Sequence, residues 1–312
     1  MQHYWSLDDV HLKNAWVTIG SFDGVHLGHQ KIIHELVTGA RHEKAPTVVI
    51  TFFPHPAVVL GKRKEPKYLT SPIERAKLFE KLGVDVVITH PFNLHFAQTS
   101  ADDFMKNLKL KLDLKHLLVG VNFALGRNRE GDVNRLKEIG DELGYVLHVI
   151  PPVKEGDQIV SSSQIRAALE AGEVEKAARL LGRPYQVSGK VIRGDGRGRA
   201  IGIPTANLNS WEERIIPKAG VYVCRAQVNG KVWGAVTNVG VRPTFYPHTV
   251  PPIVEAHILD FDADIYGEEV PLDFLTRLRD EIQFPNIQEL IHQINQDILR
   301  ARELLSQNDE SA

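Results

Sequence analysis

VTIGSFDGVHLGHQKII, residues 17–33, sets an apolar run, a glycine-rich turn and a helical start in immediate succession. Val17, Thr18 and Ile19 are β-branched and stop at Gly20, which reads as a short buried strand. Gly20, Gly24 and Gly28 let the backbone turn sharply and approach a ligand, while the first free N–H groups of the helix that follows point toward negative charge. The stretch therefore predicts one unit of a parallel sheet with a phosphate-sized anion at its turn. Its spacing is not the dinucleotide fingerprint and it lacks the lysine of a Walker loop. Histidines take the lysine's place: His26 and His29, three residues apart at the helix entrance, share a face and can donate to phosphoryl oxygens.

Outward from this stretch, residues 15 to 182 alternate β-branched runs with amphipathic ones, the pattern of a parallel sheet wrapped by crossover helices. Strands are expected at Trp16 to Ser21, Thr47 to Phe52, Val84 to Thr89, His116 to Val119 and Tyr145 to Ile150. SPIERAKLFEKLG (71–83) carries an N-cap serine, Pro72 at the first helical position, Glu74 at the third and Gly83 at the end, so a helix is expected there. From Val187 to Phe274 the texture changes to alternating β-branched positions and Gly/Pro turns, with Asn229-Gly230 marking a hairpin. Ile287, Leu290, Ile291, Ile294, Ile298 and Leu299 then form a helical stripe expected to pack on that sheet or barrel. Two domains follow, residues 1–184 (α/β) and residues 185–312 (mostly β, ending in a helix).

The chain has 312 residues, 43% hydrophobic and 24% charged, which suits two packed cores. Thirty-seven Lys and Arg against 39 Asp and Glu give a net charge of -2, so no global field favours nucleic acid or an anionic membrane. The lone cysteine, Cys224, cannot form an intrachain disulfide, and neither a leader nor an apolar span is visible. A cytoplasmic protein is expected, with small-molecule partners, a monomer or weak oligomer.

GSFDGVHLGH (20–29) resembles the adenylyltransferase module of bacterial bifunctional riboflavin kinase/FMN adenylyltransferases, and TFFPHP (51–56), GVNFALGR (120–127) and VSSSQIR (160–166) match that family in order. Each alone is an ordinary turn, strand end or helix cap; together they point to a nucleotide site. The resemblance implies a Rossmann-like nucleotidyltransferase fold with a parallel sheet. It implies catalytic roles for His26, His29 and Arg166, and nucleotide contacts from Gly20, Phe22, Asp23, Gly24, Gly28, Ser161, Ser162 and Ser163. Flavin contacts are implied for His55, Pro56, Asn122 and, in the second half, Arg279. The family's third motif carries Asp followed by an aromatic pair, where this chain has Asn122, Phe123, Ala124 and Leu125.

VIRGDGRGRAIGIPTANL (191–208) resembles the flavokinase module of the same family, a glycine-rich flap followed by PTAN, and implies an antiparallel β-barrel. Gly194, Gly196 and Gly198 free the flap's amides to close over ATP phosphates, and Arg193, Arg197 and Arg199 add charge. Thr205 and Asn207 offer hard neutral oxygens suited to Mg²⁺. Transfer to an alcohol also needs a proton acceptor. Glu255, in IVEAHILDFDADIYG (253–267), matches the family segment that holds this base and follows NVGVRPTF (238–245), another match. Asp260, Asp262 and Asp264 read as a turn cluster. Riboflavin, FMN, ATP and Mg²⁺ are the implied substrates and cofactors. Two alternatives stay open: a kinase with a degenerate first domain, motivated by residues 122–125, and a flavin-responsive regulator without turnover.

Overall fold

The computed structural model describes residues 1–309 apart from 64, 195, 197, 199–200 and 241–251. Arg197, Arg199 and most of the NVGVRPTF segment lie outside the described residues. By contacts the chain divides into two compact units, Met1–Ser162 and Ser163–Ala312. The texture change near residue 184 marks where helix gives way to strand, whereas the packing division falls earlier.

The first unit is built on a six-stranded sheet of β1 (Gln2–Tyr4), β2 (Trp16–Ile19), β3 (Thr47–Phe53), β4 (Val86–Pro91), β5 (His116–Gly120) and β8 (Val146–Ile150). Every pairing in the order β1-β4-β3-β2-β5-β8 is parallel. The strands are nearly continuous apolar runs because both faces are covered. On one face Val17, Ile19, Val48, Ile50 and Leu117 pack with helices α4 (Ala101–Leu112) and α5 (Val133–Leu143). On the other, Val49, Val87 and Leu118 pack with α1 (Leu27–Glu43) and α3 (Pro72–Lys81). The capping box read from SPIE is present: Ser71 N–H donates to Glu74 Oε2 at 2.9 Å and Glu74 N–H to Ser71 Oγ at 3.3 Å. The sequence did not reveal β1, a three-residue edge strand, or the two-residue hairpins β6 (Ala124–Leu125)/β7 (Gly131–Asp132) and β9 (Lys154–Glu155)/β10 (Gln158–Ile159). Runs this short carry no readable period.

The second unit begins one residue into α6 (Ser162–Ala171) and continues with α7 (Val174–Leu181). Glu175 of α7 accepts the Arg277 N–H at 3.1 Å. Six antiparallel strands then close a barrel in the order β11 (Tyr185–Ile192), β12 (Ala206–Ser210), β15 (Ile253–Ile258), β14 (Lys231–Gly240), β13 (Gly220–Val228) and β16 (Glu269–Arg279). The β13–β14 hairpin turns at Asn229 and Gly230, both left-handed (φ 51° and 74°), with Val228 facing Lys231. The C-terminal helix, Ile287–Asp309, packs on the barrel, though not by the whole stripe expected. Ile287 and Leu299 are exposed, and Ile298, Ala301, Leu304 and Leu305 make the contact with Val221, Val223 and Val236. Leu305 lies where a Cβ on Gly234 would stand only 2.5 Å from it, so the strand's missing side chain draws the contact toward the helix's last turns.

Candidate functional site

In the first unit the chain passes from β2 through β3 to β4 on one side of the sheet and reaches β5 and β8 on the other. The carboxyl ends of β2 and β5 therefore frame the crevice where doubly wound sheets bind ligands. The turn after β2 sits there and is held from several sides. Gly24 N–H donates to Thr70 Oγ1 at 3.1 Å, Asp23 Oδ1 accepts Leu69 and Thr70 N–H at 3.0 and 3.2 Å, and Ser162 Oγ donates to the Asp23 carbonyl at 2.9 Å. Phe22, Gly24 and Val25 are all left-handed, with φ of 47°, 83° and 43°. Such geometry, above all for a β-branched residue, persists only when surrounding bonds over-determine it. Phe22 and Asp23 thus form the inward frame of the turn, 3% and 1% exposed.

His26 caps α1: its Nδ1 accepts the His29 N–H at 3.4 Å, so the neutral ring carries its proton on Nε2. The two imidazoles stack at 3.5 Å between centroids, with the Phe22 edge against His29. Gly28 permits this, since a Cβ there would stand 3.2 Å from the His26 ring. Burial, then the neighbouring His26 and Arg75, hold His29 well below the usual histidine pKa, so it is a neutral hydrogen-bonding group at pH 7.

A cavity of about 650 Å³ opens beside the turn, lined among others by Gly20, Ser21, His55, Pro56, Asn122 and Arg129. His55 caps the short helix α2 (Pro56–Val59) through Nδ1, which accepts the Ala57 N–H at 3.0 Å. The segment where the chain departs from the family's third motif, residues 122–125, forms one wall of this cavity. Ser161 precedes α6, and in the first turns of that helix Arg166 Nη2 reaches Ser163 Oγ at 3.5 Å.

In the second unit three adjacent strands bring a carboxylate between two carboxamides: Glu255 on β15 pairs in register with Asn207 on β12 and with Asn238 on β14. Gly194 at the start of the flap lies so close that a Cβ would stand 2.5 Å from Asn207 Nδ2, and Gly196 is left-handed (φ 72°) in open space. Gly198 likewise abuts the Ile203 carbonyl. His257, two residues along β15, bonds the Pro204 carbonyl through Nδ1 at 2.8 Å and so ties down the backbone that carries Thr205. Thr205 lines a cavity of about 410 Å³ with Asp262, Asp264 and Tyr266. Arg193 lies over the Tyr266 ring at 5.6 Å. Asp260 belongs elsewhere, in a bidentate pair with Arg302 at 2.7 Å.

Arg279 stands apart from this row. Its Nε and Nη2 clasp Asp297 of the C-terminal helix at 3.0 and 2.7 Å, and its Nη1 donates to the Asp280 carbonyl. Among the described residues no three His, Cys, Asp or Glu side chains group to hold a metal. Sequence reasoning missed Asn238, His257 and Arg75; only strand register or burial brings them to a site.

A family model described as FAD synthetase matches residues 8–164, and one described as riboflavin kinase matches residues 181–305. The protein named bifunctional riboflavin kinase/FMN adenylyltransferase in Bacillus subtilis (strain 168) is 39% identical over 284 residues, covering 90% of this chain and 89% of that one. The protein of the same name in Escherichia coli (strain K12) is 36% identical over 289 residues, covering 92% and 91%. A solved structure described as "Crystal Structure of Macrolide-efflux Protein from Streptococcus pneumoniae" aligns with a TM-score of 0.88 at 30% identity, over 96% of this chain and 98% of that one. Among the described residues, no helix is long and apolar enough to cross a membrane.

Proposed function

Since this chain belongs to the bifunctional riboflavin kinase/FMN adenylyltransferase family, we propose that its barrel unit carries the first reaction and its parallel-sheet unit the second. The enzyme phosphorylates riboflavin with ATP to give FMN and ADP, then transfers the adenylyl group of another ATP to FMN, giving FAD and pyrophosphate.

In the barrel the nucleophile is the 5′-hydroxyl of the ribityl chain, a poor nucleophile until its proton is removed. Glu255 accepts that proton as the oxygen attacks the γ-phosphorus and ADP leaves. Asn207 and Asn238, its partners in register, flank it on the neighbouring strands. Thr205 and the Asn207 amide oxygen are the residues that would hold Mg²⁺, which when bound neutralises charge on the phosphoryl oxygens. Gly194, Gly196 and Gly198 bring the flap's amides to the phosphates.

In the parallel-sheet unit an FMN phosphate oxygen attacks the α-phosphorus and pyrophosphate departs. The incoming phosphate is already anionic, so positioning and electrostatic stabilisation suffice and no base is needed. His26 presents Nε2–H and the α1 entrance presents free N–H groups to the leaving pyrophosphate, and Ser162, whose hydroxyl bonds the Asp23 carbonyl, braces the turn beside them. His55, Pro56 and Asn122 shape the flavin end of the cavity. The cytoplasm is the proposed location, supported by the single cysteine, Cys224, which cannot form an intrachain disulfide and so suits a reducing compartment.

The observation that carries this reading is the contrast in polar groups: stacked neutral imidazoles at a helix entrance in one unit, and a carboxylate between two carboxamides in the other. A chromatographic time course tests it, with riboflavin, ATP and Mg²⁺ giving FMN and then FAD, and FMN supplied alone giving FAD directly. Folded protein that makes FMN but never FAD would leave only the kinase.

A further inference from the structure

Helix α3 buries one charged side chain, and the chemistry above does not use it. Arg75 is 1% exposed and among the largest fully buried side chains of the described residues. Its Nη1 donates to the Ser21 carbonyl at 2.5 Å and to Thr51 Oγ1 at 2.8 Å. Thr51 closes the triangle by donating its own hydroxyl to the same carbonyl at 3.0 Å. Nε and Nη2 of Arg75 are buried and have no hydrogen-bond partner among the described residues. Burial lowers its pKa against the opposing pull of the Asp23 carboxylate and Tyr68, so the guanidinium is kept there at a cost, and an apolar side chain of similar volume would pack at less expense.

Its two partners show what the charge does there. Ser21 opens the glycine-rich turn and lines the 650 Å³ cavity, and the next residues include three in left-handed conformations. A carbonyl turned toward a triphosphate would repel it. Drawn back by Arg75 and Thr51, the Ser21 oxygen leaves the anion to meet N–H groups and imidazoles instead. Resting on the assignment of adenylyl transfer to this turn, we infer that Arg75 is a positioning residue for that reaction, holding the Ser21 carbonyl away from the triphosphate and leaving a positive charge beneath the turn. His29 feels the same charge: it faces His26 from its own helix, Phe22 from the turn and Arg75 from α3, and the Arg75 guanidinium and the neighbouring His26 add to burial in keeping it neutral.

Riboflavin phosphorylation, assigned to the other unit, serves as an internal gauge in the full-length protein. Arg75→Met is expected to lower FMN adenylyl transfer about 100-fold, mainly in kcat, as loss of one preorganised electrostatic contact does. Riboflavin phosphorylation by the same preparation stays unchanged. Arg75→Lys, which keeps the charge and loses the fork, recovers about a tenth of the lost activity. Thr51→Val, which keeps Arg75 and loosens the carbonyl, gives a smaller loss than Arg75→Met. With ¹³C-labelled histidine followed by NMR, the His29 ring titrates at higher pH in Arg75→Met than in the parent and stays near the parent value in Arg75→Lys. Adenylyl transfer at the parental rate in folded Arg75→Met overturns the inference. So does Arg75→Lys as impaired as Arg75→Met with the His29 titration unmoved in both, which marks a packing role. Should Arg75→Met fail to fold, parental rates in both Arg75→Lys and Thr51→Val overturn it equally. Failure of the parent protein itself to make FAD from FMN would instead remove the functional assignment on which the inference rests.

Discussion

The turn after β2 and the row across β12, β15 and β14 are both proposed to serve ATP, yet their polar groups differ in kind. Around the turn stand two imidazoles, a helix entrance and a buried guanidinium, while the nearest carboxylate, Asp23, is turned inward onto two backbone N–H groups. Across the barrel a carboxylate sits between two carboxamides. The nucleophile explains the difference. A phosphate arrives already charged and needs only to be steered and relieved of repulsion, so an exposed carboxylate would hinder it; an alcohol arrives with a proton that something must take.

The sharpest way to break this comparison is to neutralise Glu255. Glu255→Gln keeps the shape of the row and removes the base; riboflavin phosphorylation is expected to fall about 1,000-fold while FMN-to-FAD conversion is unaffected. Loss of both reactions in folded protein would mean the sites are not separate. His29→Ala should do the reverse with a somewhat smaller effect, lowering adenylyl transfer about 100-fold and sparing the kinase. The two variants assayed side by side by chromatography, with FMN and with riboflavin as starting material, give the full contrast.

These two sites were not equally legible in the sequence. The first is nearly contiguous: strand, glycine turn, His26 and His29 lie within seventeen residues of the opening stretch, so local spacing alone announces an anion site. The second depends on strand pairing. Asn207 and Glu255 come together only because β12 and β15 are neighbours in the barrel, and Asn238 joins them through a register that no local pattern displays. Asn207 and Glu255 were reached through family resemblance, and Asn238 and His257 were not reached at all. Arg75 illustrates a different blind spot. In SPIERAKLF it reads as a polar residue on a well-capped helix, and only the packed structure shows it buried beneath the turn. The C-terminal stripe was found by periodicity, but its contacting part was not, because the shape of the receiving surface at Gly234 decides which turns touch.

Arg279 sharpens the comparison from the side of stability. Family resemblance implies a flavin contact, whereas the geometry gives its guanidinium to Asp297, which is 5% exposed. Arg279→Ala leaves that carboxylate buried without its counter-charge and with only the Gln293 amide bonding it at 3.0 Å, at an expected cost of about 3 kcal/mol after discounting for the partly exposed arginine. Denaturant unfolding measures that loss. A rise in the riboflavin KM with stability unchanged would instead favour the flavin contact.

The smallest effect separates the two units by pH. In the first, His3, His29, His90 and His148 all have lowered pKa values, with burial the leading cause in each. Their folded pKa lies below the unfolded value of about 6.5, so the unfolded chain binds protons that the folded unit refuses. Stability of this unit is therefore fully present above that value and declines as the pH falls below it. For His148 the neighbouring His116 adds to burial, and Glu43 opposes both. In the barrel unit Asp260 and Asp280 are held low by Arg302 and Arg277, and the stability they lend is lost only below a pH of about 4. Between pH 7.5 and 5.5, hydrogen-exchange protection corrected for intrinsic rates should thus fall in peptides from residues 1–162 more than in peptides from residues 163–309, a range of about two pH units. His148→Gln should flatten the dependence in the first set, since it removes one of the protons taken up on unfolding. Equal losses in both sets, or a slope untouched by the substitution, would show that these histidines do not distinguish the two units.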